Sequence, residues 1–214
     1  MSNRGLTPEL LLGAYASGVF PMAETRDAPD IYWVDPRDRG VLPLDGFHMS
    51  RSLSRRLRRG GYHATLNVAF ETILDGCADR DETWINDTIR ALMLELHARG
   101  HAHAFGVWQE DELVGGMYGL SLGAAFFGES MFSAKTDGSK LALAWATDHL
   151  RRCGFALFDT QFITPHLATL GAVEIPRAQY HSLLREALDI EVDINSVSLE
   201  HDPQAIVQRI TQIS

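Results

Sequence analysis

Apolar positions along the chain fall into helical and strand-like patterns that alternate. Leu11, Ala14 and Tyr15 lie on one face of a helix. Thr7-Pro8-Glu9 opens it with a hydroxyl cap, a proline at the first helical position and a carboxylate near the positive dipole end. Gly18 closes it ahead of Phe20-Pro21. Residues 22–46 are rich in turn formers, with one short strand at Ile31–Val34. Ser50 caps a second helix, Arg51–Arg59, ended by Gly60-Gly61; Leu53 and Leu57 point inward and arginines cover the rest. Phe70–Cys77 and Asp87–Arg99 read as helices and Ala102–Trp108 as a strand. Leu113–Leu120 and Ala124–Phe127 are strands around a turn at Gly123. Gly138–Arg152 is a helix stopped by Gly154, and Phe155–Phe158 is a buried strand running into Asp159. Pro165–Leu170 and Arg177–Leu188 are helices. The acidic tail, 189–214, has weak periodicity and is expected at the periphery.

This order predicts a mixed α/β (α+β) fold and not a repeated βαβ array. With 214 residues and 45% hydrophobic content, the chain can bury one full core or a core plus a small appendage, and it is too apolar for disorder. Cys77 and Cys153 stand far apart with no Cys-x-x-Cys, which excludes a disulfide scaffold, a zinc knuckle and a thioredoxin-type site. The N-terminus lacks an apolar signal core and no run is long enough to span a bilayer, so a soluble cytoplasmic protein is expected.

Charge changes the picture locally. The net charge is −9, which argues against a general nucleic-acid coat. Yet Arg39, Arg51, Arg55, Arg56, Arg58 and Arg59 face only Asp45 within residues 39–62, a local +5 that leaves −14 elsewhere. The only lysines are Lys135 and Lys140. Arginine forks suit phosphates; composition alone leaves a local polyanion dock and a solvated helix face both open.

Two apolar runs hold isolated carboxylates. Glu129 interrupts Phe126-Phe127-Gly128-Glu129-Ser130-Met131-Phe132-Ser133, directly after a strand. Asp159 ends the strand of Phe155-Ala156-Leu157-Phe158-Asp159-Thr160-Gln161, where α/β sheets present ligands, and Gln161 faces the same way if the chain stays extended. A buried carboxylate must be paired, protonated or functional. A shared site and two satisfied carboxylates both remain open on this ground. Gly115-Gly116 and Gly119 inside a strand point to close packing, a bulge or a flanking cleft. His97, His101 and His103 lack a further ligand at metal spacing, so no metal is expected. Ser130 and Ser133 have no Gly-x-Ser-x-Gly, and there is neither a Walker loop nor a Gly-x-Gly-x-x-Gly.

In this context the sequence resembles the leucyl/phenylalanyl-tRNA–protein transferases across residues 6–188. The resemblance runs through Leu11-Leu12-Gly13-Ala14-Tyr15, Gly18-Val19-Phe20-Pro21-Met22, Trp33 to Pro36, Arg39-Gly40-Val41, Ser50-Arg51-Ser52-Leu53 and Thr83-Trp84-Ile85. It is densest in Leu113-Val114-Gly115-Gly116-Met117-Tyr118-Gly119 and Phe127 to Ser133, and continues in Asp159-Thr160-Gln161 and Leu170-Gly171-Ala172. It implies a small N-terminal domain (1–46), a catalytic domain with a GNAT acyltransferase-like core (47–190) and the peripheral tail (191–214). The implied reaction moves leucine, phenylalanine or methionine from aminoacyl-tRNA, a co-substrate, to proteins with N-terminal arginine or lysine, marking them for N-end-rule degradation. No cofactor or membrane is implied, and a monomer is expected. Glu129, Asp159 and Gln161 fall on the catalytic positions, with Met117, Phe126 and Met131 for the donor side chain and Trp84 as a further substrate-binding residue. Arg51, Arg55, Arg56, Arg58 and Arg59 are the expected tRNA contacts.

The chain departs from the family pattern at Ala104-Phe105-Gly106, where a carboxylate is often found, and at Met22, where some members carry an aromatic. The competing classes are a GNAT acetyltransferase using acetyl-CoA, which should show an Arg/Gln-x-x-Gly-x-Gly/Ala turn, and a non-catalytic tRNA-binding module. Thr136-Asp137-Gly138-Ser139-Lys140 does not supply that turn.

Overall fold

A computed structural model of the chain describes residues 6–28, 30–59, 61–80 and 83–212. Gly60, expected to help end the second helix, lies outside them. The chain begins with α1 (Pro8–Ala16), capped by the Thr7 hydroxyl, and a small antiparallel pair, β1 (Phe20–Ala23) and β2 (Ile31–Val34). It continues through β3 (Asp38–Val41), α2 (Arg51–Arg58), β4 (Tyr62–Leu66), α3 (Phe70–Ala78) and α4 (Asp87–Ala98). Then follow β5 (Ala102–Gln109), β6 (Glu112–Leu122), β7 (Ala125–Ser133), α5 (Gly138–Cys153) and β8 (Leu157–Gln161). The last elements are α6 (Pro165–Thr169), β9 (Val173–Pro176), α7 (Arg177–Leu188) and α8 (Pro203–Thr211).

Seven strands form one sheet in the order β4-β5-β6-β7-β8-β3-β9. Strands β4 to β7 make an antiparallel meander, and α5 is the crossover that lets β8 run parallel to β7. The parallel pair is in register at Ala125↔Leu157, Phe126↔Phe158 and Phe127↔Asp159, and the strands part beyond. Strand β3 lies within the segment expected to form the small domain, but it pairs between β8 and β9 of the large sheet.

Each sheet face carries a core. Trp145, Phe105, Phe126 and Phe158 fill one, together with Leu53 and Leu57 of α2. Tyr15, Tyr118, Phe127 and Ile73 fill the other. Gly115 explains how α5 comes so close to the sheet: a Cβ there would stand 2.4 Å from the Gly138 carbonyl carbon. The glycine therefore serves backbone approach at the N-terminus of α5.

Two expected strands differ in their bounds. Strand β7 runs on past Phe127 to Ser133, and β8 starts at Leu157, two residues later than expected, and runs through Asp159 to Gln161. The tail expected at the periphery is firmly tied down. Ile206, Val207 and Ile210 of α8 are buried in the first core, and Arg209 forks onto the fully buried Asp148 at 2.7 and 2.9 Å. Helical spacing of these apolar residues gives α8 a face to bury.

Candidate active site

Glu129 owes its position to a β-bulge. Met117 pairs with Met131 and Tyr118 with Ser130, but Gly119 pairs with Gly128, so Glu129 is the extra residue. The bulge also swaps the faces of β7. Before it, Phe126 faces the α5 core and Phe127 the opposite one; after it, Met131 faces α5 and Phe132 the opposite side. Glu129 Oε1 accepts hydrogen bonds from Tyr15 Oη at 2.8 Å and Gln161 Nε2 at 2.9 Å. Its Oε2 is buried without a partner. Burial pushes the carboxyl up to about 8, the nearby Asp159 charge adding to it, while Tyr15, Arg39 and Gln161 oppose it. Because Oε1 receives two donors, a proton carried by Glu129 sits on Oε2.

Gln161 does not continue an extended strand as expected. Its φ is +62°, in the left-handed region that glycine favours. The Phe162 amide donates to the Thr160 carbonyl at 2.7 Å, closing a tight three-residue turn around Gln161. The Gln161 amide donates to Asp159 Oδ1 at 2.7 Å. Glu129, Asp159 and Gln161 thus form one hydrogen-bonded chain.

Asp159 itself is fully buried. Arg39 forks onto it, Nε to Oδ1 at 2.9 Å and Nη2 to Oδ2 at 2.5 Å, and Tyr180 Oη donates to Oδ2 at 2.7 Å. This corrects one expectation: Arg39 belongs to the interior and not to the surface arginine block, because its neighbour in the fold is a carboxylate on β8. The Asp159 charge is neutralised by the guanidinium and reaches Gln161 through its backbone amide.

A cavity of about 720 Å³ opens where β7 and β8 part, lined by Trp84, Glu129, Ser130, Thr160, Phe162 and His166 among others. Beside it is a largely apolar hollow of about 90 Å³, lined by Met117, Met131, Leu143, Phe158 and Leu167, which also borders Glu129. Met117 and Met131 are where a donor pocket was expected. Phe126 is not: it sits where β7 and β8 still pair, enclosed edge-to-face by Phe105, Phe155 and Phe158. Leu143, Phe158 and Leu167 also line the hollow, and Tyr15 and Arg80 also reach the site, though no motif in the chain marks them for it. Arg80 lines the larger cavity and donates to Ser130 Oγ at 3.3 Å and to the Met131 carbonyl. Arg80 lies just ahead of Thr83-Trp84-Ile85, the one signal that could have drawn attention to it.

Among the described residues no cluster of His, Cys, Asp and Glu suits a metal ion. His103 is buried between Asn67 and Ser121, and burial pushes its ring down to about 4. The Cys77 thiol is pushed up to about 12 by burial.

On α2, Arg51, Arg55, Arg58 and Arg59 are exposed while Leu53 and Leu57 are buried, as the spacing predicts. Arg56 is half-buried and pairs with Asp137 at 2.9 Å; Lys140 holds the other Asp137 oxygen at 2.9 Å. Asp137 precedes α5, whose Ser139 lines the large cavity. The basic face and the cavity therefore meet at the N-terminus of α5.

A mixed sheet whose parallel pair splays around a carboxylate and an amide, with an apolar hollow at the splay, is the frame of a GNAT-like acyltransferase. Residues 41–185 match the family profile described as leucyl/phenylalanyl-tRNA protein transferase, and residues 4–37 match its N-terminal domain. The chain belongs to this family. It is 61% identical to the leucyl/phenylalanyl-tRNA–protein transferase of Ruegeria pomeroyi, over 98% of this chain and 99% of that one. It is 59% identical, over the full length of both, to the protein of that name from Cereibacter sphaeroides. A crystal structure of FemX aligns with a TM-score of 0.47 at 12% identity, over 83% of this chain and 71% of that one. No helix among the described residues is long and apolar enough to cross a membrane.

Proposed function

We propose that this chain transfers leucine, phenylalanine or methionine from aminoacyl-tRNA to the α-amine of proteins that begin with arginine or lysine, marking them for N-end-rule degradation. The observation that carries the reading is the unpartnered Glu129 Oε2 on a residue that borders both the large cavity and the apolar hollow. The donor side chain enters the hollow between Met117 and Met131, whose flexible thioethers accept more than one shape. Trp84 lines the larger space that takes the donor's end nucleoside and the acceptor.

The donor ester is already activated, so the chemistry is the placement of an amine against a carbonyl. An α-amine has a reference pKa of about 7.7–8.0. Glu129, at about 8, is matched to it, and its ionised Oε2 takes the proton that keeps the amine from attacking. Gln161 commits its NH₂ to Glu129 and leaves its carbonyl oxygen to accept from the amine. The C–N bond forms as the ester C–O bond breaks; the nitrogen's second proton goes to the departing ribose oxygen, making it a hydroxyl, and the proton on Glu129 returns to solvent. Asp159 fixes Gln161 through its backbone amide. Arg51, Arg55, Arg58 and Arg59 meet tRNA phosphates, which carry little sequence information and suit a reader of the attached amino acid; Arg56 joins them through its half-exposed side chain.

The acetyl-CoA reading is disfavoured by Asp137, a carboxylate standing at the cap of α5 where a pyrophosphate would have to sit. The test is transfer of labelled leucine from leucyl-tRNA to a peptide beginning with arginine and to one beginning with alanine. Labelling of the first alone is expected. Equal labelling of both, or acetyl transfer from acetyl-CoA in its place, overturns the reading.

A further inference from the structure

Arg39 is fully buried, and taking a guanidinium out of water is costly unless its N–H groups are all met. Four of the five are met, from several separate parts of the chain. Besides the fork onto Asp159 of β8, Nη1 donates to the Gly18 carbonyl after α1 at 3.0 Å, and Nη2 also reaches Tyr180 Oη of α7 at 3.1 Å. The guanidinium lies over the Phe20 ring of β1 at 4.6 Å and the Tyr180 ring at 4.3 Å. Asp159 Oδ1, which accepts from Arg39 Nε, is the same atom that accepts from the Gln161 amide. The next residue along β3, Gly40, pairs with Gln161, and a Cβ on it would stand 2.6 Å from the Phe162 carbonyl carbon. Strand β3 therefore bears on the Gln161 turn twice, once through a side chain and once through bare backbone. The turn needs such support, because a glutamine holds a positive φ only when its surroundings over-determine it.

We propose that Arg39 is a positioning residue for the transfer reaction: through Asp159 it holds the left-handed Gln161 turn and so aims the Gln161 amide at Glu129 and the cavity. This rests on the reading of the site as an aminoacyl transfer centre. A merely structural salt bridge would set how much protein folds. A positioning residue sets how fast the folded protein turns over, and it acts only through Gln161.

The test uses Arg39→Lys, which keeps the charge and loses the fork, in the full chain with leucyl-tRNA and an arginine-initiated peptide. Turnover is expected to fall about 10–100-fold, as for a displaced catalytic group. Both KM values should stay within about twofold, since the substrates are not touched. Gln161→Ala should fall comparably, and Arg39→Lys/Gln161→Ala should be no slower than Gln161→Ala alone. Losses that multiply in the double variant, or wild-type turnover from folded Arg39→Lys or from Gln161→Ala, overturn the proposal. If Arg39→Lys does not fold, Arg39→Gln/Asp159→Asn leaves no unpaired buried charge and is assayed in its place. Slow turnover at a near-native melting temperature then supports the proposal, and wild-type turnover overturns it. No transfer by the wild-type chain defeats the transfer reading itself, a result separable from any comparison among variants.

Discussion

Gln161 reaches across the gap between β8 and β7 to place its amide nitrogen 2.9 Å from Glu129 Oε1. The two residues belong to strands that are paired as far as Phe127 and Asp159 and no further. Each is turned toward the other by a local irregularity, a bulge at Glu129 and a left-handed turn at Gln161. Neither irregularity alone would bring the groups together.

The Glu129 carboxyl should leave a signature in stability. Folded, it keeps its proton up to about pH 8; unfolded, it loses it near the usual 4.5. Between these values the folded state binds more protons, so stability falls as pH rises and levels off above about 8. Glu129→Gln keeps an oxygen for Tyr15 and Gln161 and has no charge to bury. Its stability relative to wild type should therefore grow across that window, by on the order of a few kcal/mol. Urea unfolding of both proteins at several pH values measures it, and a pH-independent difference would contradict the assignment. The same substitution should cut kcat/KM for the acceptor peptide by about tenfold or more.

Asp159→Ala removes the partner of a fully buried arginine. It should cost about 3–5 kcal/mol of stability, because the Arg39 charge is left uncompensated. Turnover of the fraction that folds should drop at least about tenfold, since Gln161 loses its anchor. Asp159→Asn keeps an oxygen for the Gln161 amide and should lose less on both counts. Denaturation midpoints beside single-turnover rates decide; a stable, fully active alanine variant would show that neither Arg39 nor Gln161 depends on Asp159.

Changing Arg55 and Arg58 together to alanine should leave stability within about 0.5 kcal/mol, since both are exposed. The KM for aminoacyl-tRNA should rise, and its salt dependence should flatten by roughly one phosphate contact per arginine. A minimal aminoacyl-adenosine donor has no distant phosphates and should react nearly as before. Equal losses with both donors would place the arginines in the fold or the site.

Met117 and Met131 face one another across the β6–β7 pair and line the apolar hollow proposed for the donor side chain. Shortening Met117 to alanine should widen it and shift preference from leucine toward phenylalanine. One methylene of fit is worth about 1–3 kcal/mol, so a change of around tenfold in the ratio of kcat/KM values is expected. An aspartyl donor should remain excluded by desolvation in either form. Parallel assays with the charged tRNAs read the ratio directly, and an unchanged ratio would move the donor side chain elsewhere.

Much of this could be read from the chain before its fold. Helix α2 shows its buried leucines and exposed arginines in the spacing alone, and Ile31–Val34 is a strand with the bounds expected. The carboxylates in apolar runs, Glu129 and Asp159, mark the site because such groups are costly to bury idly. What stayed hidden is non-local. Nothing adjacent to Arg39 separates it from its surface neighbours, since its partner lies 120 positions away. Strands β1, β3 and β9 are as short as β2 but lack its unbroken β-forming run, each holding a strand-disfavouring residue, Pro21, Gly40 and Pro176. The bulge at Glu129 left no pattern at all, and Phe126, although on the same face as Met131, lies in the core because β7 and β8 still pair at its level.

Arg39 and its strand also bear on where this polypeptide could be cut. The stretches 4–37 and 41–185 match separate family profiles, yet from the first Tyr15 Oη ends on Glu129 of the second and the Gly18 carbonyl on Arg39, which lies between the two. A break in the loop before Asp38 would divide the molecule into two halves that each lack part of the reaction centre. Such fragments should be silent apart and active when they reassemble, so the junction ahead of β3 is a natural point for a two-piece complementation reporter, and a poor one for isolating a free-standing catalytic core.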